Sequence, residues 1–449
     1  MPLSSDRVVE QARILHGFHL SERDQLDKVR RYWKGRQALP AVIPSSAPQE
    51  VKNLARLSRV NVCEIVVDTL AQSTFVEGYR GKDGEAPELI RRTWEANRMA
   101  ARQSGIHRAA FAYGASYATV LPGDSLPVIK GASPRSMTCV YGESDDWPMW
   151  AFERLGRGLW RIFDEEAIYY VTDRPKPGEP GRNWEHLDTQ IHGAPGVVPV
   201  VRFLDQVDLD ADDDIEDADG IPLLGQVSPL MKVQDQIDLT TFGLMVAQWY
   251  SAFRQRYAIG WVPEDEGQKM KASASQLWTF DENPEEMQLG EFSQTQLDGY
   301  IKSREASIRH AAALSQTPAH ELIGELVNLS AEALAAAEAG RDRKVDERQT
   351  LLGEGHEQMN ELVAYYTGET VPEEAAVQWR DTSARAFAAT VDALGKLTTM
   401  LGIPPQELWE RVPGATQQDV ARWKAAAQNG DSFRVLADML ERQSGDGDV

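Results

Sequence analysis

The sequence predicts a mostly helical α+β fold, and three observations carry that expectation. Apolar residues recur at three- and four-residue steps through most of residues 1–113 and again beyond Pro229. Between these regions, from Ser116 to about Phe203, short runs rich in β-branched and aromatic residues alternate with Gly, Pro and Asp turns. A stretch rich in Ala and Glu, 329–366, reads as one long helix. At 449 residues the chain is long enough for two to four structural regions. Its 42% apolar and 26% charged residues are a normal globular balance, so sizeable cores can be buried. Twelve Trp are costly to leave in water, which places several in cores or between subunits.

In the first helical region, Ser21 precedes a segment in which Leu26, Val29 and Trp33 share one face and Gly35 can end the helix. The Pro-containing stretch 38–49 breaks the pattern. Periodicity resumes at Val51 and Leu54, then at Ile65, Val66 and Leu70, and a third helix runs from about Pro87 with Leu89, Ile90 and Trp94 on one side. The expected strands are SYATVL, SMTCVY, WAFERL, LWRIF, AIYYVT and VVPVVRF, the pattern of an antiparallel subdomain. Residues 208–220 form an acidic loop. A long helix is expected over 229–256, with Met231, Ile237, Leu239, Phe242, Met245, Trp249 and Phe253 at helical steps. Residues 257–293 are mixed, 294–315 are helical, and the Pro318 break precedes the long helix. The tail holds a candidate strand, AAVQW, a helix at 382–401 and two more after Pro404 and Pro413, before a polar end.

Sixty-nine acidic against 47 basic side chains give a net charge of −22. Gripping nucleic acid by phosphate neutralisation needs clustered Lys and Arg, whereas an acidic wall lets a polyanion slide past. Solubility alone also accounts for the charge. Cys63 and Cys139 stand far apart in unlike contexts, so no disulfide scaffold is expected and the cytosol is the natural compartment. The charged N-terminus lacks the apolar core of a signal peptide. The longest apolar stretches fall well short of the ~20 residues that span a bilayer.

Catalytic motifs are missing. There is no GxxxxGK[ST], GxSxG or HExxH, and GYRGKDGE has the spacing of a charged turn. His16 and His19 share a helix face without further ligands nearby, so an ordinary core or surface pair is expected. His310 and His320 flank the Pro318 break with little to support catalysis. Asp208, Asp210 and Asp212 alternate as in a calcium loop, but Asp213 stands where Gly belongs and Asp219 where a bidentate Glu belongs. No enzyme activity, cofactor or metal is expected.

The order of elements carries the information. NLARLSRVNVCEIVVDTLAQSTFVEGYR at 53–80, FAYGASYATVLPG at 111–123, SPRSMTCVYG at 133–142, PVVRFLDQ at 199–206, the segment 225–261 and LSQTPAHELIGELVNLSAEAL at 314–334 together resemble the portal proteins of tailed bacteriophages, specifically the siphovirus portal family of Gram-positive hosts. The resemblance covers about residues 20–425. It implies a subunit with wing, stem, clip and crown regions that forms a ring of about twelve, as a heterologous interface that closes permits. Residues 1–227 correspond to the wing, 228–256 to stem helix 1, 257–293 to the clip, 294–315 to stem helix 2, 316–328 to the tunnel loop, 329–379 to the long helix returning through the wing, and 380–449 to the crown and tail. The implied role is a DNA conduit at the capsid vertex, in the virion and in host cytoplasm during assembly. Its implied partners are the terminase large subunit, a head–tail adaptor, the major capsid and scaffolding proteins, and double-stranded DNA held without base readout; no membrane is involved. Candidate channel residues are Lys302, Arg309, Gln316, His320 and Asn328, each of which also reads as simple surface. Trp278 and Phe280 are either sheet core or partner contacts in the clip. The alternative is another phage head or scaffold-type protein without a DNA channel. A packaging ATPase or nuclease is disfavoured by the absent P-loop and metal cluster.

Overall fold

The computed structural model describes residues 1–38, 43–80, 87–142, 147–175, 183–194, 196–207, 225–252, 256–259, 288–291, 296–324, 331–369, 376–380, 387–412, 415, 419–420 and 422–427. The chain divides into two compact units, Met1–Val377 and Gln378–Val449.

The first element is a 29-residue helix, α1 (Ser5–Trp33), which starts well before the expected Ser21. Ser21 lies inside it, its hydroxyl donating to the Phe18 carbonyl at 2.8 Å instead of capping a terminus. The N-terminal half is helical because it has a face to bury: Val8, Ala12 and Leu15 pack on the sheet described below. The helix ends at Trp33, in keeping with the Gly35 stop. Then come α2 (Gln49–Leu57), α3 (Val62–Ser73), β1 (Val76–Arg80), α4 (Glu88–Ala96) and α5 (Met99–Tyr113). The single helix expected from Pro87 is therefore two. Its break sits where the Asn97 side chain donates to Thr93 O and Pro127 O and accepts from Ile129 N, so that Asn97 serves a neighbouring hairpin.

Three strands form one sheet in the order β3-β2-β9: β2 (Ala115–Leu121), β3 (Val128–Ala132) and β9 (Val200–Leu204). A five-stranded antiparallel meander joins β4 (Met137–Val140), β5 (Trp150–Gly156), β6 (Leu159–Phe163), β7 (Ala167–Thr172) and β8 (Glu185–Ile191). Strands β3 and β8 were not among the expected runs. β3 carries Lys130 and Gly131, and β8 is a polar edge strand, so neither shows a hydrophobic alternation. Across β6 and β7 the period of two is kept, while the pairings with β5 and β8 each contain one register irregularity. Trp160, Ile162, Ala167, Tyr169 and Val171 face α1, while Phe163 and Ile168 face Tyr117, Val198 and Val200 of the smaller sheet and its approach. Trp160 and Phe152 stack at 4.7 Å. His16 and His19 meet Trp160 edge-on at 5.4 and 5.3 Å, so of the two expectations, core or surface, this pair is core.

Beyond a 3₁₀ turn at Ser228–Leu230 runs α6 (Met231–Ala252). It stops short of 256, because Arg256 already pairs with Glu291 in a two-stranded ribbon, β10 (Arg256–Ile259) with β11 (Gln288–Glu291). α7 (Asp298–Ser315), α8 (Ala319–Ile323) and α9 (Ala331–Thr367) follow, and the expected long helix is present to within a few residues. β12 (Ala376–Trp379) spans the boundary of the two units. The second unit contains α10 (Phe387–Leu401), α11 (Pro405–Leu408) and a helical segment at 422–427. The acidic loop 208–220 lies outside the described residues.

α9 runs against β9 at close range. A Cβ added at Gly355 would stand 2.8 Å from Phe203 Cδ1, which makes glycine the residue that admits the contact. Beside it two imidazoles are fully buried, His107 from α5 and His356 from α9, with their Nε2 atoms 3.0 Å apart. The His107 Nδ1–H donates to Thr74 O at 2.7 Å, so its Nε2 accepts from the Nε2–H of His356. Both rings are thereby neutral. Burial holds the His107 pKa down to about 4 and that of His356 well below the ordinary histidine value, with His107 adding to the latter. The unfolded chain thus binds these protons more readily than the folded one, so their contribution to stability is full above pH ~6.5 and declines as pH falls from there toward 4. For His107 alone the loss by pH 4 is about 3 kcal/mol at ~1.4 kcal/mol per pKa unit. Denaturant midpoints taken from pH 7 down to 4.5 should decrease, and a His107→Gln variant should show a shallower decrease.

Candidate functional site

The elements that leave the body of the first unit are α6 and α7, which pack side by side. Tyr300 of α7 lies on Gly243 of α6, where an added Cβ would be 3.1 Å from the Tyr300 ring. Both helices are buried at one end and exposed at the other. On α6, Met231, Val233, Ile237 and Leu244 are buried, whereas Trp249 is 55% exposed; on α7, Ile308, Ala311 and Ala312 are buried, whereas Tyr300 and Ile301 are exposed. The exposed ends are those that lead to β10 and β11.

The buried end of α6 is fastened by polar groups. Asp238 accepts from Gln37 Nε2 at 2.6 Å, Gln234 Nε2 at 2.8 Å and Val60 N at 3.2 Å. Gln234 Oε1 accepts from Val62 N at 3.0 Å, and the Tyr32 hydroxyl donates to Asp235. Together these tie α6 to the end of α1 and the α2–α3 connection. Burial raises the Asp238 pKa and pushes the neighbouring Cys63 thiol up to about 12, which leaves that sulfur inert.

The expected channel residues divide. Lys302, Arg309 and Gln316 recur at seven-residue spacing on one exposed side of α7 and its end. Arg309 pairs with Glu305 at 3.6 Å, an exposed contact of little energetic weight. Gln316 takes a left-handed conformation, φ 53°, and stops the helix. His320 is half-buried on α8, and Asn328, Trp278 and Phe280 lie outside the described residues. No group of three or more His, Cys, Asp or Glu is placed to hold a metal among the described residues.

What the sequence reading missed is a set of charged groups beneath the turn between α7 and α9. Asp205 directly follows β9 and is fully buried. Its carboxylate accepts from Arg348 Nε at 2.9 Å and Gln226 Nε2 at 2.6 Å. Gln226 Oε1 in turn accepts from the Lys344 ammonium, which also donates to Ser315 O, the last carbonyl of α7, at 2.7 Å. Burial pushes the Asp205 pKa up to about 6 against the pull of Arg348, and lowers that of Lys344 to about 8. The Gln226 backbone is pressed on the end of α5, its N–H donating to Phe111 O at 2.7 Å. A Cβ on the preceding Gly225 would stand 2.5 Å from Ala112 O, so only glycine fits that approach. On α8, Glu321 is paired with Arg341. The charge-dense segment 339–349, for which solvent is the default reading, is thus only half solvated: Asp342, Arg343, Asp346 and Glu347 are exposed, while Lys344, Val345 and Arg348 are buried. The signal that could have found them is Lys344 and Arg348 four apart on the same face as Val345 and Leu352.

Removing one member of a buried pair strands the other. Arg348→Met should cost about 3–5 kcal/mol, and adding Asp205→Leu should recover most of it, as read by denaturant unfolding of the single and double variants.

The family model for phage portal protein, SPP1 Gp6-like, matches residues 14–432. No curated protein matches the chain in sequence. Among solved structures, the chain is similar to one from the virion of a native gene transfer agent (GTA) particle, at 15% identity and TM-score 0.46, covering 81% of this chain and 96% of that one. A chain from the neck of an empty GTA particle computed with C6 symmetry is similar at 14% identity and TM-score 0.47, covering 80% and 91%. One from the neck of a native GTA particle computed with C12 symmetry is similar at 14% and 0.44, covering 82% and 92%. The family match runs over nearly the whole chain, and the chain therefore belongs to the phage portal protein family.

Proposed function

We propose that copies of this chain close into a ring of about twelve around a channel for double-stranded DNA, through heterologous contacts that meet head to tail. The ring sits at the capsid vertex, is assembled in host cytoplasm, and serves genome packaging and ejection as a structural conduit and not as an enzyme. Residues 1–227 form its wing, 228–256 and 294–315 its stem helices, 257–293 its clip, 316–328 its tunnel loop, 329–379 the helix that returns through the wing, and 380–449 its crown and tail. The terminase large subunit docks at the clip during packaging and a head–tail adaptor replaces it; major capsid and scaffolding proteins meet the outer parts. The observation that carries this reading is the pair α6 and α7, anchored by polar groups at one end, exposed at the other and leading there to a strand ribbon. Such a projection has no use within one subunit and suits a stem lined by neighbours.

Lys302, Arg309, Gln316 and His320, with Asn328, are assigned to the channel side. DNA that must move needs contacts that are weak and independent of sequence. A wall that is net acidic with sparse cations meets that need, in line with the charge of −22.

Electron microscopy of the purified full-length protein, classified for rotational symmetry, tests the reading. Rings with a central hole wide enough for a duplex are expected; a closed oligomer without a channel would overturn it. Reversing both cations, Lys302→Glu with Arg309→Glu, should leave ring symmetry unchanged and lower the yield of packaged genomes severalfold. An unchanged yield would remove these residues from the DNA path.

A further inference from the structure

We infer that Arg341 and Lys344 are positioning residues that fix the 316–324 turn to α9 and, through Gln226, to Asp205 at the end of β9, so that turn and strand shift together. The two cations stand three residues apart and so lie on one side of α9. They hold the turn at two places: Lys344 on the terminal carbonyl of α7, and Arg341 on Glu321 of α8. Between those points the backbone has few bonds of its own. Gln316 N reaches Ala313 O at 3.4 Å, Thr317 N reaches Ala312 O at 3.1 Å, Glu321 N reaches Pro318 O at 3.0 Å, and Gly324 N reaches His320 O at 2.9 Å. Gln316 itself, a residue with a Cβ in the left-handed region, carries a strain of about 1–2 kcal/mol that its surroundings must sustain.

The line continues inward without a gap. The Lys344 ammonium binds Gln226 Oε1, the Gln226 amide binds Asp205, and Asp205 is bound from its other side by Arg348, four residues along from Lys344 on α9. Every group on this line is buried, and the acceptors that hold Lys344 are an amide oxygen and a backbone carbonyl. A displacement of Ser315 therefore moves the ammonium, or leaves it in a dry site with Gln226 Oε1 in place of two acceptors, which is costly. Either way the change arrives at Gln226 and Asp205. This coupling is a property of one subunit and holds whether or not the ring closes. Where the turn borders DNA, as proposed above, the line gives the wing a mechanical report of what the turn meets.

Hydrogen–deuterium exchange on the full-length protein reads this directly, because it follows the turn amides of 317 and 319–323 separately from those of β5, β6 and β7. Lys344→Met should raise turn exchange about tenfold or more with the meander unchanged, while Lys344→Arg, which keeps a buried donor and charge, should stay near wild type. The decisive variant is Asp205→Asn, which touches no atom of the turn and should nevertheless raise its exchange. If Asp205→Asn does not fold, Gln226→Leu interrupts the same line. Unchanged turn exchange in whichever of these two is measured would overturn the coupling. A rise spread equally over turn and meander would reduce Lys344 to a general stabiliser. Neither result depends on ring imaging or on DNA passage.

Discussion

The Asp205–Arg348 pair is the contact on which the arrangement of the first unit turns. Asp205 is fully buried where β9 ends, and Arg348 reaches it from the middle of α9, 143 residues later. A buried pair of this kind contributes little net stability compared with apolar residues of the same size, because desolvation cancels most of the attraction. Its effect is on geometry. An apolar α9 could slide along β9 by a turn and still bury surface, whereas a carboxylate with two donors at 2.6 and 2.9 Å has one satisfactory register. Gly355 reinforces that register by admitting Phe203 at one place on the helix. The 225–226 segment, the end of α7 and the turn after it are then set by what Gln226 and Lys344 can reach.

The same logic recurs at the root of α6. The helix buries Met231, Val233, Ile237 and Leu244 but is exposed at its far end, and apolar packing over its first part does not by itself fix its position. Gln234 and Asp238 fasten it, each four residues from the other and each bonded to backbone or side chains of the N-terminal helices. The His107–His356 contact does for α5 and α9 what these do for α6. All three clusters replace the loose fit of aliphatic packing with directional bonds at points where a long helix meets the body.

This explains what could be read from the sequence and what could not. The order of helix, strand and helix regions was legible because it rests on apolar periodicity, which Leu26 and Val29 and the WAFERL and LWRIF runs display, and, for the long helix, on its Ala and Glu content. The start of α1 was not legible, since Ser21 has the chemistry of a cap and only the sheet under Val8 and Leu15 overrides it. β8 escaped for the opposite reason: its ladder bonds to β7 need no apolar side chains at a sheet edge. Lys344 and Arg348 are charged residues just as their solvated neighbours Arg343 and Glu347 are. Whether a charge is buried is decided by a partner such as Asp205, remote in sequence, and local pattern holds no record of it. Lys302, Arg309 and Gln316 were singled out through the family resemblance, with simple surface as the other reading, and all three are exposed.

Net charge is a poor guide to where a chain could meet a polyanion, and the distribution of the cations in this one says why. Arg348, Lys344 and Arg341 are engaged by Asp205, Gln226 and Glu321 inside the first unit and offer nothing to a phosphate. Arg161 is likewise buried against Glu153 across β5 and β6. Among the described residues these cations are withdrawn together with about as many carboxylates, so the charge balance hardly changes, and the exposed cations left on α7 are Lys302 and Arg309, with Arg304 half-buried. For binding by counterion release that is a defect, since affinity grows with the number of phosphates neutralised together. For a channel it is a requirement: a wall that neutralised many phosphates at once would hold the duplex at preferred positions and oppose its movement. On the proposed channel assignment, Lys302 and Arg309, seven residues apart on an exposed side of α7, would guide the axis of the DNA without fixing its place along that axis.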